Sequence, residues 1–169
     1  YFPAAYENTI AVGSTDPDDK RSSSFPSNPL KGSNYGSHID LSAPGNYIYG
    51  LDYDGDFDFG SYWSGTSQAT PYVTGVISLI LAINPQLHPE EIRTLLRESS
   101  DDQVGIQSED LAGWDKYHGA GRLNAFNALN TLITKTKDEP GSSFHLGKNP
   151  IRKGENLTIL NQERYPIEF

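Results

Sequence analysis

The chain has 169 residues, 36% of them hydrophobic, with ten Tyr and seven Phe, which is enough apolar surface for a core and excludes wholesale disorder. A formal net charge of −9 excludes the basic patches that nucleic-acid phosphates require. The absence of Cys removes disulfides, thiolate chemistry and cysteine metal sites, and the richest apolar run, Val76 to Ile83, is far shorter than the ~20 residues of a membrane span.

The charge is uneven. Residues 1–134 hold seven Lys/Arg against 17 Asp/Glu, whereas residues 135–169 hold six against five, so the first segment is an acidic body suited to cations. The chain also lacks Met and opens almost directly on strand-like sequence, which predicts a piece of a longer, processed protein.

In chain order, "ENTIAVGSTD" is a β-branched run closed by turn residues and predicts a buried strand over 9–13. The Ser-, Pro-, Asn- and Gly-rich stretch after it reads as surface loop. "HIDLSAPG" predicts a second strand over 38–43. In "NYIYGLDYDGDFDFGSYW" Asp alternates with Tyr or Phe around Asp54-Gly55, the pattern of a β-hairpin. Its Asp52, Asp54, Asp56 and Asp58 look like a calcium loop, but Trp63 stands where the bidentate Glu belongs, which favours the hairpin.

A helix follows from Ser67 to Ile83, so apolar that it reads as buried on all sides, and Asn84-Pro85 stops it. A second helix starts at Pro89, with Glu90 and Glu91 in its first turn and Ile92, Leu95 and Leu96 as its apolar stripe. "GAGRLNAFNALNTLI" predicts a third over 122–133, with Leu123, Ala125, Phe126 and Leu129 inward. Residues 134–147 form a polar linker, and residues 148–169 read as strands and turns that begin a small β-rich domain.

"SGTSQATPYVTG", residues 64–75, puts Ser67 where a glycine turn enters the first helix. Thr66 or Ser67 as a plain helix cap is one reading. The other makes Ser67 a nucleophile. Pro71 lacks the N–H that would bond the Ser67 carbonyl, Gly65 permits unusual dihedrals, and free N–H groups at a helix start stabilise a developing oxyanion.

"GTSQATPYVTG" resembles the nucleophile motif G-T-S-x-A-x-P of the subtilisin-like serine proteases. "YFPAAYENTIAVGSTD", "HIDLSAPG", "NPQLHPEEIRTLLRESSDD" and "GAGRLNAFNAL" resemble further segments of that family in its order, through residues 1–133. The resemblance implies an α/β, three-layer fold with a central parallel sheet, of which residues 1–133 supply the C-terminal part. It implies a serine endopeptidase of the subtilase (peptidase S8) type, secreted or at a bacterial cell surface, in which Ser67 attacks a polypeptide carbonyl. The Ser67 backbone N–H would be one oxyanion donor, with Gly65 and Thr66 shaping the turn. Gln68 stands where the family usually has an oxidisable Met.

None of His38, His88, His118 and His145 sits in the family's H-G-T motif. The resemblance therefore assigns the catalytic His, its Asp and the oxyanion Asn to a preceding N-terminal segment, without which the chain is expected to be inactive. The rival reading is a catalytically inactive relative that binds peptides or partners. No cofactor is required for the chemistry. The resemblance implies a structural Ca²⁺ or monovalent cation held by the carbonyls of Ala4, Tyr6 and Thr9 with Asp40, and a cis Phe2–Pro3 bond; His38 replaces a second acidic group found there in some relatives. "NPIRKGENLTI" resembles the start of the sorting domains of type IX secretion, though any β-sandwich appended to a secreted protease fits equally.

Overall fold

The two apolar runs pair. In the computed structural model, which describes residues 2–51 and 60–137, β1 (Val12–Thr15) lies parallel to β2 (Leu41–Pro44), in register from Val12 opposite Leu41 to Thr15 opposite Pro44. Each strand begins three residues later than the sequence suggests. Just before the pair, the Ala11 N–H donates to the Asp40 carboxylate (2.8 Å) instead of to backbone, so the regular ladder starts at Val12. A parallel pair needs a crossover of at least about a dozen residues. Residues 16–40 provide it without a helix, as their loop-like composition predicts.

β3 (Ile48–Gly50) and β4 (Ser61–Trp63) are the antiparallel arms of the expected hairpin, with Tyr49 edge-on to Tyr62 at 5.4 Å. The Asp-rich tip of that hairpin lies outside the described residues, as do His145, the linker from 138 onward and the expected β-rich segment.

The chain then forms α1 (Thr66–Ile83), whose buried face is Ala69, Val73, Val76 and Ile80, one residue per turn. Within this chain the rest of the helix is uncovered: Leu79 is 51% exposed and Tyr72 is exposed as well. Among the described residues, β1, β2 and α3 pack against α1, and they cover a single face. By length and composition α1 is apolar enough to cross a membrane, a property missed by counting only Val76 to Ile83. Thr70, Thr74 and Ser78 donate their hydroxyls to carbonyls four residues back (2.9, 3.2 and 2.9 Å), which hides their polarity. The stripe packed on the strands marks α1 as a core helix.

α2 (Pro89–Ser99) starts at the expected Pro89, where the Glu91 carboxylate reaches back to accept from the His88 N–H at 2.7 Å. α3 (Ala125–Lys137) begins three residues late, because Arg122 and Leu123 are held in backbone bonds to Asp101 and Ser42. Asn124 caps it, its side-chain oxygen accepting from the Asn127 N–H at 2.9 Å. Ala128 and Leu132 form its buried stripe, with Ala125 and Leu129 at the margin. Phe126, expected inward, is 74% exposed, since it lies nearly opposite Ala128 on the helix wheel.

Candidate active site

The turn before α1 is fastened to the end of β2. The Gly65 N–H donates to the Gly45 carbonyl at 2.7 Å, and Gly65 has φ 154°, a region that favours glycine. A Cβ on Gly45 would lie 2.4 Å from Ser14 Oγ and 2.8 Å from the Gly65 oxygen, so the two backbones meet only because residue 45 is glycine. The Gly65 carbonyl accepts from the N–H groups of Gln68 (3.0 Å) and Ala69 (3.4 Å) and so becomes the helix cap.

This disposes of the simple capping role. The cap of α1 is Gly65, no side chain caps the helix, and Ser67 is the second residue inside it. Ser67 is exposed and lines, with Gly65, Thr66 and His38, an open cleft of about 780 Å³. The first turn contains no acidic residue, which leaves the positive end of the helix dipole uncompensated beside the hydroxyl. Pro71, inside the helix, cannot donate to the Ser67 carbonyl.

Across the cleft, Arg21 clamps the Glu109 carboxylate with Nε and Nη2, each at 3.1 Å, and its guanidinium stacks over Tyr35 and Tyr117. This braces the crossover against the loop that follows α2. His38 shares the cleft, but among the described residues no hydrogen bond joins it to Ser67. His88 sits at the start of α2, and His118 is buried.

Phe2–Pro3 is cis, as the resemblance implies. Around Asp40 the expected oxygens also accept hydrogen bonds within the chain. Arg93, from α2, donates through Nη2 to the carbonyls of Glu7 (2.6 Å) and Thr9 (2.8 Å), and its Nε lies 3.7 Å from Asp40 Oδ1. The carbonyls of Ala4 and Tyr6 accept instead from the Thr9 hydroxyl, at 3.1 and 2.8 Å. A guanidinium thus lies beside Asp40 and next to the Thr9 carbonyl. Sequence reading missed Arg93, whose carbonyl partners lie 84 and 86 residues upstream.

A parallel pair whose second strand ends against a glycine turn, with a serine raised into a cleft at a helix start, places the chain in the subtilisin-like α/β class. The crystal structure of fervidolysin from Fervidobacterium pennivorans, a keratinolytic enzyme related to subtilisin, matches with a TM-score of 0.58 and 29% identity over 76% of this chain and 20% of that one. The chain belongs to the subtilase family, whose sequence profile matches residues 1–144. It is 37% identical over 130 residues to halolysin of Haloferax mediterranei (77% of this chain, 21% of halolysin). It is 31% identical over 182 residues to the cell wall-associated protease of Bacillus subtilis (96% of this chain, 19% of that protease). The chain thus spans about a fifth of the length of these relatives.

Proposed function

We propose that this chain carries the nucleophile of a serine endopeptidase and that Ser67 is that nucleophile. The observation that supports the reading best is the exposed Ser67 hydroxyl in the first turn of α1, which no side chain caps, on a turn fixed by the Gly45–Gly65 contact. Ser67 Oγ attacks the carbonyl carbon of a polypeptide and its proton passes to an imidazole. The C–N bond then breaks, the amine leaves with that proton, and water hydrolyses the Ser67 ester to regenerate the hydroxyl. The Ser67 backbone N–H helps to hold the oxyanion, with Gly65 and Thr66 setting its direction.

The imidazole, its orienting Asp and a second oxyanion donor come, on this reading, from a preceding segment that packs on the uncovered side of α1. The chain alone is then inactive, because an unassisted serine hydroxyl is a weak nucleophile at neutral pH. The name of the Bacillus subtilis relative, a cell wall-associated protease, and that of an extracellular serine protease of Natrialba magadii support a secreted or surface location.

The test is labelling of the full-length protein with a fluorophosphonate. The expected adduct maps to Ser67, disappears in Ser67→Ala, and forms far more slowly on the 169-residue chain without its preceding segment. Equal labelling of wild type and Ser67→Ala, or none in either, would overturn the assignment.

A further inference from the structure

Asp110, Asp115 and His118 lie in the loop between α2 and α3, and none of them lines the Ser67 cleft. All three are buried, at 1%, 5% and 0% exposure, and their ligand-capable atoms lie within 4.8 Å of one another. Among the described residues neither carboxylate pairs with a Lys or Arg. Both ring nitrogens of His118 lack a hydrogen-bond partner. Two buried carboxylates and an unpartnered imidazole in one place are unfavourable unless something positive and electron-accepting joins them.

We propose that Asp110, Asp115 and His118 are the protein ligands of a divalent transition-metal ion of the zinc type. One imidazole nitrogen and two carboxylate oxygens form the mixed donor set that suits zinc, cobalt or manganese, whereas calcium takes six to eight oxygens. Tetrahedral bonds of about 2.0 Å put ligand atoms about 3.3 Å apart, so small side-chain adjustments close the site.

The carboxylates are already aimed by backbone. Asp115 accepts from the N–H groups of Leu111 (3.0 Å), Tyr117 (2.7 Å) and His118 (2.8 Å), and Asp110 accepts from Gly105 (2.5 Å) and Gln103 (3.3 Å). These bonds use part of each carboxylate's acceptor capacity and leave lone pairs for an ion. Gly105 closes one side: a Cβ there would lie 3.0 Å from His118 Nε2 and 3.1 Å from Asp110 Oδ2. A larger residue would press into the space between these two ligands.

The ion would act as a clip. The same loop docks on the residues just ahead of β2, through the Trp114 Nε1 bond to the Ile39 carbonyl (2.8 Å) and the Ala120 N–H bond to the Asp40 carbonyl (2.9 Å). Metal binding here would secure the loop that supports the approach to β2 without touching the reacting groups.

The experiment uses the full-length protein in saturating Ca²⁺, so that calcium sites stay filled. Zn²⁺ is titrated by calorimetry, the thermal midpoint is followed with and without Zn²⁺, and Co²⁺ is added as an absorbance probe. The expected result is one tight equivalent of Zn²⁺, a higher midpoint, and a visible Co²⁺ band typical of nitrogen and oxygen ligands. In His118→Gln and Asp110→Asn, Zn²⁺ affinity should fall at least about a hundredfold. Should either variant fail to fold, the Co²⁺ band of the wild type and its displacement by Zn²⁺ carry the test. Absence of that band together with an unchanged midpoint means that His118 is held by a proton alone, and overturns the proposal.

Discussion

Replacing Gly45 by Ala tests whether the end of β2 holds the Ser67 turn. The new methyl carbon would sit 2.4 Å from Ser14 Oγ, 2.9 Å from Ser14 Cβ and 2.8 Å from the Gly65 carbonyl oxygen. Ser14 is buried and its hydroxyl is tied to Ser22 at 2.9 Å, so it has little room to retreat and the Gly65 turn must move. Overpacking of this kind costs about 1–3 kcal/mol, and loss of the Gly65–Gly45 hydrogen bond adds about 1 kcal/mol. If Ser67 is the nucleophile proposed above, a displacement of about 1 Å there also lowers its reactivity on the order of a hundredfold. Fluorophosphonate labelling rates and urea unfolding of the full-length protein read both quantities. Gly45→Ala labelling within twofold of wild type, at undiminished stability, would refute the argument.

Arg93→Ala leaves the Asp40 carboxylate and the Glu7 and Thr9 carbonyls without their cation, and should cost about 3 kcal/mol by chemical denaturation. Millimolar Ca²⁺ or K⁺ should restore part of that loss in the variant and have little effect at this position in wild type; equal salt responses would count against the cation reading of Asp40. Burial pushes the Asp101 carboxyl up, but hydrogen bonds from Arg122 and Asn124 outweigh it and hold the pKa below its ordinary 3.8. The stability Asp101 contributes is therefore fully present above pH 3.8 and is lost as pH falls through its lower folded value. The stability gap between wild type and Asp101→Asn should close over that acid range, and a gap that widens instead would reverse the sign of the argument.

The glycine turn before α1 was legible because its constraints are local. Gly65, Thr66, Ser67, Ala69 and Pro71 each restrict the backbone within two helical turns, so their order carries the geometry. The strand limits were not, because the ladder is interrupted by a bond from Asp40 to a residue 29 positions earlier. Phe126 was misplaced because the helix phase depended on its start, and that start was set by the bonds of Arg122 to Asp101 and Leu123 to Ser42. Nothing in the spacing of Asp110, Asp115 and His118 singles them out in the sequence, and only their burial sets them apart.

The guanidinium beside Asp40 also changes how this corner of the molecule answers its surroundings. A free ion fills a site according to the ratio of its concentration to its dissociation constant, so dilution or a chelator empties it. Arg93 is delivered covalently by α2, and its local concentration is fixed by the fold. The carbonyls of Glu7 and Thr9 therefore keep their counter-charge in ion-depleted media, and give it up only when α2 itself comes away.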